Sequence, residues 1–245
     1  MPIYQCTLTL HDNVFFATRE MGILYETEKY LHNWALSYAL FAGIHVMQSY
    51  RLVGPDAQRP SYLDPTSEQN LLPLNKEGIY VFPAKPLQWS YQVHTFKAAQ
   101  VHYYAEAVKF GDRTGNFPIN YGRAKELAVG SIYQTYILAP ETVQIPRWIR
   151  LGKWAAKVHV QIQTIAEVES GSGSYICTHP LNPLDLPPAT RLLLYNRIVM
   201  PPSSLVSHAQ LEGDYWLIEK RTYLPRGVAY GANYPQIHSP TCPSH

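Results

Sequence analysis

Residues 3–43, IYQCTLTLHDNVFFATREMGILYETEKYLHNWALSYALFAG, carry two hydrophobic periods in one stretch. IYQCTLTL (3–10) alternates apolar and polar residues with β-branched enrichment, the period of a half-buried strand. HDNVFFATRE follows, with Asp12 and Asn13 as turn formers and Phe15 and Phe16 as large apolar side chains. Tyr30, Leu31, Trp34, Ala35, Tyr38 and Phe41 then recur at three-and-four spacing, which predicts a helix closed by Gly43. Thr27 is its expected N-cap, with Glu26 and Glu28 placed favourably for the dipole.

Further along, the periods are those of strands. GIYVFPAKP (78–86), 90–96, 101–110, 132–138, VHVQIQTIAEV (158–168), 192–200 and 215–223 all read as strands. Residues 48–74, the tip FGDRTGNFPINYG (110–122), SGSGS (170–174) and NPLDLPP read as loops. Strand, helix, then many strands gives an α+β fold with a mainly antiparallel sheet and long loops. Residues 1–225 form one expected domain and 226–245 a tail, free or docked on a partner.

Composition agrees with this and excludes other classes. Among 245 residues, 20 are Pro, which argues against a helical bundle, and 19 are Tyr, which suit half-buried sheet faces. Hydrophobic residues make up 46%, too many for a disordered chain. The cysteines Cys6, Cys177 and Cys242 are far apart and form no CxxC, so neither a disulfide framework nor a zinc site is expected. The start of the chain does not read as a signal peptide, and the apolar run 34–47 is too short to span a bilayer. The expectation is a cytoplasmic protein with no membrane contact.

The net charge of +2 is unevenly spread: −3 over residues 1–84, +6 over 85–160 and −1 over 161–245. A basic middle third suits an anionic partner, and equally a solvated sheet face. Within it, IPRWIRLGKWAAK (145–157) spaces Arg147, Arg150, Lys153 and Lys157 around Trp148 and Trp154. Arginine and tryptophan together can clamp a phosphate and stack a base; the other reading is an amphipathic turn with core tryptophans and solvated cations. In 84–100, Lys85, His94 and Lys97 interleave with Trp89, Tyr91 and Phe96; on a strand His94 and Phe96 face one way, Thr95 and Lys97 the other. His94, Lys97 and a tyrosine would suffice for a metal-independent ribonuclease, although no HExxH, GxSxG or P-loop element is present.

Taken in order, HDNVFFATRE, LYETEKYLHNWALSYAL, GIYVFPAKP, HTFKAA, GRAKELA and PRWIRLGKW resemble the Cas-five/Csc-one subunit (RAMP group) of type I-D CRISPR Cascade complexes. The resemblance runs over residues 3–157, with weaker echoes to Arg197. It implies a modified ferredoxin-like fold of the RNA-recognition-motif type, with a β-hairpin thumb inserted at roughly 91–122. It also implies a non-catalytic role without cofactor or metal: capping the five-prime handle of the CRISPR RNA and holding the large and backbone subunits. Target double-stranded DNA near the protospacer-adjacent motif is a further implied partner. Processing of CRISPR precursor RNA by an endoribonuclease is the alternative. Lys85, Lys97, Arg123, Lys125, Arg147, Arg150 and Lys153 are the positions carried over to RNA contact. Phe16, Trp148 and Trp154 are the stacking candidates, with Phe15 for the handle or the core.

Overall fold

The computed structural model describes residues 2–42, 62–67, 69–97 and 121–234. The strand 101–110, most of the loop 48–74, most of the 110–122 tip and the end of the tail lie outside the described residues.

The alternating stretch at the start is strand β1 (Ile3–Leu10), and it is the centre of the fold. It pairs antiparallel with β8 (Ile132–Leu138) on one edge and with β10 (Ala156–Thr164) on the other. β4 (Tyr80–Val81) and β5 (Lys85–Gln88) extend the sheet beyond β8, and β9 (Trp148–Leu151) extends it beyond β10. Cys6, Leu8 and Leu10 point into the core with Tyr133, Val158 and Val160; helix α1 (Asn33–Phe41) belongs to the same core. A short α2 (Leu72–Lys76) carries Pro73 in its first turn, where an N–H would have no partner within the helix.

A second sheet pairs β2 (Arg19–Met21), β3 (Leu24–Glu26), β7 (Tyr121–Leu127) and β6 (Tyr91–Lys97). β6 and β7 run antiparallel, whereas β3 and β7 are parallel. The third sheet joins β11 (Val168–Cys177), β13 (Leu205–Ile218), β12 (Arg191–Ile198) and β14 (Thr222–Pro225). The architecture is sheet-rich α+β, mostly antiparallel.

Several expectations need correction. The helix starts later than expected: Thr27 is no cap, because its hydroxyl accepts from the Phe16 amide at 3.0 Å. The cap is His32, whose Nδ1 accepts from the Trp34 amide. Residues 158–168 are not one strand, since the chain leaves β10 at Thr164 and re-enters in β11. SGSGS is not a loop but the middle of β11, in register with Trp216 to Glu212. Small residues serve packing there: a Cβ at Gly171 would stand 2.5 Å from the Tyr215 hydroxyl. The tail does not begin at 226 either. Tyr230 is fully buried, with its hydroxyl bonded to Ser37 Oγ and accepting from the Val81 amide.

The third sheet is tied to the rest by a buried carboxylate. Asp185 Oδ2 accepts from Asn33 Nδ2 (2.7 Å), Trp34 Nε1 (3.1 Å) and the Tyr80 hydroxyl (3.1 Å), and Oδ1 from the Gly231 amide (2.9 Å). Burial still pushes its carboxyl up to about 6, since no cation accompanies it among the described residues. Burial also holds His32 and His179 down to about 3.

These shifts set the acid response. Below pH 6.5 the unfolded chain protonates both histidines and the native chain does not. Each therefore removes ~1.4 kcal/mol of stability per pH unit as pH falls towards 3. Asp185 acts with the opposite sign between about 6 and its ordinary 3.8, because the native state takes up that proton first. Acidification from pH 7 to 5 is expected to destabilise the protein. Asp185→Asn, which removes the opposing contribution, is expected to steepen the loss; urea midpoints measured across this range check both.

Candidate nucleic-acid interface

The outward face of the central sheet is built by the residues that alternate with the core. Register places Gln161, Thr7, Gln134 and Lys85 in one row across β10, β1, β8 and β5. The next row is Trp148, His159, Thr9 and Ile132, and beyond it lie Arg150, Lys157 and His11. At the other end of this face, Tyr136 is buried against His179, whose Nε2 lies 2.8 Å from the Pro83 carbonyl. The face is thus closed at one end and open at the other, with a floor of threonine and glutamine.

The rim is aromatic and cationic. Trp148 is 46% exposed, with His159 at 4.7 Å and His11 at 4.9 Å between ring centroids. Lys157 Nζ stands 4.3 Å over the Trp148 ring. Asp12 accepts from the Lys157 amide at 2.8 Å, and its Oδ2 is 3.9 Å from Arg150 Nη1. Both partners of that ion pair are mostly exposed, so it is worth well under ~1 kcal/mol and leaves the guanidinium available. Arg150 Nη1 also donates to the Ala155 carbonyl, which fixes its direction.

The segment 145–157 is a β-hairpin rather than a helical turn, so the three-and-four spacing of its cations has a different consequence. Arg150 pairs with Lys157 and Trp148 with His159, all on the open face, while Ile149, Leu151, Ala156 and Val158 face the core. Arg147 is exposed just before β9, and Lys153 and Trp154 lie at the turn. Trp154 stacks on Phe15 at 4.5 Å and approaches His94 and Phe96 of β6 at 6.4 and 6.1 Å. It therefore bridges the hairpin to the second sheet and still exposes 47% of its surface. Gly152 permits this: its φ is +77°, and a Cβ would meet the Phe15 carbonyl oxygen at 2.7 Å.

The remaining sequence candidates are scattered. Lys85 is on the open face but at its far edge, four strand spacings or about 19 Å from β9. Arg123 and Lys125 lie on the second sheet, in register with Thr95 and Val93, away from His94 and Phe96. Lys125 is occupied, 3.0 Å from Glu26 Oε1 and 4.5 Å from the Tyr91 ring centre. Phe16 is half-buried against the core and Phe15 is buried beneath Trp154. The Lys97 side chain lies outside the described residues. Sequence reading missed His11, His159, Thr7, Thr9, Gln134 and Gln161. The signal was present for all but His11, since Thr7, Thr9, Gln134, His159 and Gln161 belong to the polar halves of IYQCTLTL, IYQTYIL and VHVQIQT.

Among the described residues no helix is long and apolar enough to cross a membrane. The family model described as type I-D CRISPR-associated protein Cas5/Csc1 matches residues 1–233. Among solved structures, the chain is similar to one titled as the crystal structure of a CRISPR protein from Archaeoglobus fulgidus. The TM-score is 0.45 at 9% identity, covering 92% of this chain and 100% of that one. No curated protein matches.

Gly152→Ala is expected to destabilise the protein by ~1–3 kcal/mol, through strain at positive φ and the clash with Phe15. The Lys153 amide, which donates to the Phe15 carbonyl at 2.8 Å, is expected to lose protection. Denaturant melts together with amide hydrogen exchange at that position test this.

Proposed function

The chain belongs to the type I-D Cas5/Csc1 family of CRISPR-associated proteins, and on that premise we propose that it is a non-catalytic RNA-binding subunit of a CRISPR effector complex. In this reading it caps the five-prime handle of the CRISPR RNA and joins the large and backbone subunits near the protospacer-adjacent motif of target DNA. The observation that carries the reading is the open face of the central sheet. A polar floor that can hydrogen-bond sugars and base edges is bordered by Trp148, Arg150 and Lys157, which offer a stacking ring and two phosphate ligands on one exposed ribbon. That is the combination with which proteins hold single strands.

The strand order supports reading the central sheet as a modified ferredoxin-like unit. β1 lies between β8 and β10, and the strands that follow α1, β4 and β5, pair with the far edge of β8. A β-α-β-β-α-β unit has this order; here the segment between β8 and β10 carries the short strand β9 where such a unit has its second helix. In the same reading, β6 and β7 are the stem of the inserted thumb.

The absence of a catalytic role is also part of the proposal. His94 would be the base of a ribonuclease set, and its ring lies beside Trp154 at the junction of the two sheets rather than on the open face.

Arg150→Ala combined with Lys153→Ala is expected to weaken binding of guide RNA, reducing the salt slope by ~1.4, or roughly 0.7 for each phosphate left without its cation. The fold is expected to stay intact, because both side chains are exposed. Filter binding from low to high salt, with melting temperature as control, measures this. Binding equal to wild type at every salt concentration would overturn the assignment.

A further inference from the structure

Among the described residues, one face of the second sheet is unpartnered and differs in chemistry from the open face of the central one. β6 contributes Tyr91 and Val93 to it, with Trp89 just before, and β2 contributes Met21. All four are exposed, Val93 by 58% and Met21 by 52%. Register joins them: Arg19, Glu26, Lys125 and Val93 form one row, and Met21, Leu24, Arg123 and Thr95 the next.

The charges on this face are mostly spent. Lys125 is held by Glu26 at 3.0 Å and Arg19 by Glu28 at 3.0 Å. Lys29 lies 5.2 Å from the Trp89 ring centre. Arg123 and Lys29 have no ion pair among the described residues. Phosphates approaching here would meet the carboxylates of Glu26 and Glu28; the Trp89 and Tyr91 rings already lie against Lys29 and Lys125, and Met21 and Val93 neither stack a base nor bind a phosphate. Tryptophan, tyrosine, methionine and arginine with few free charges are instead the makings of a protein interface core.

We propose that this face, centred on Tyr91 and Val93, docks another protein subunit of the assembly. That partner would present an apolar surface with carboxylates at its rim to meet Arg123 and Lys29. The inference rests on the reading of the chain as a subunit of a larger complex, and it takes Arg123 and Lys125 out of the RNA-contacting set.

The test is reconstitution of the complex with Val93→Glu and, separately, Arg123→Glu; both positions are exposed on a sheet surface, and melting temperature verifies folding. Each variant is expected to reduce incorporation into the complex by about tenfold or more, with guide-RNA affinity of the isolated chain kept within about twofold. Arg150→Ala with Lys153→Ala is expected to do the reverse in the RNA assay, so failure of the RNA reading and failure of this one separate. Wild-type incorporation of both variants overturns the proposal. So does loss of RNA affinity in Val93→Glu, which would make the face a nucleic-acid surface. A change in the self-association of the isolated chain, with incorporation unaltered, would assign the face to a second copy and overturn it as well. As a measurement free of mutation, the protein-only assembly is expected to protect the amides of 91–95 from hydrogen exchange; protection that appears only when RNA is added overturns the proposal.

Discussion

A central strand bonded along both edges cannot slip by one residue without turning its buried side chains out and its polar ones in. β1 is in that position, and its alternation divides the molecule. Cys6, Leu8 and Leu10 commit one face of the sheet to the core under α1, which leaves Gln5, Thr7 and Thr9 on the other. The neighbouring strands repeat the division, so polar floor and hydrophobic core are two consequences of one register. A substitution meant to make the floor more basic therefore costs little at Thr7 and a great deal at Leu8.

The second constraint is what covers part of that floor. The third sheet comes over the end occupied by Tyr136 and is locked there through Asp185, His179 and Tyr230. A buried carboxylate with four donors and, among the described residues, no cation is costly to desolvate, yet removing it would strand the donors, which costs more. The arrangement gives the third sheet one seating, because only there do Asn33, Trp34, Tyr80 and Gly231 converge on one side chain. The open end of the face is open because the covering sheet is held at the other.

Period-two segments are legible in the sequence because burial on one face leaves a direct imprint. IYQCTLTL and IYQTYIL form the strands expected of them, and the α+β class follows. SGSGS reads as a loop because a flexible composition is also what a strand needs where Tyr215 lies flat across it. Arg147, Arg150, Lys153 and Lys157 are legible as a group, but their spacing is compatible with a helical face and with a hairpin. Gly152 at positive φ decides between them, through a contact with Phe15 that lies far away in the chain. Asp185 looks like one more polar residue in a proline-rich loop; nothing local reveals that its four donors arrive from α1, β4 and the C-terminal segment.

Cations alone do not identify an anion-binding surface; what matters is whether a neighbouring carboxylate has already neutralised them. Among the described residues Arg150 pairs with one carboxylate, Asp12, and that pair is long and exposed, so the positive field of Arg150 and Lys157 persists around Trp148. Lys125 comes from the same basic block but sits in a short pair with Glu26, an acid of the net-negative first third of the chain. Folding sets Glu26 of the acidic N-terminal third firmly against Lys125 of the basic middle third, whereas Asp12 reaches Arg150 only at 3.9 Å. Among the described residues of 85–160 the fold thus places Lys125 on a compensated, apolar surface and Arg150 and Lys157 on a polar one that is barely compensated. Surfaces so different in desolvation cost favour different partners: burying the first against protein displaces water from hydrocarbon, whereas covering the second with phosphate releases counterions.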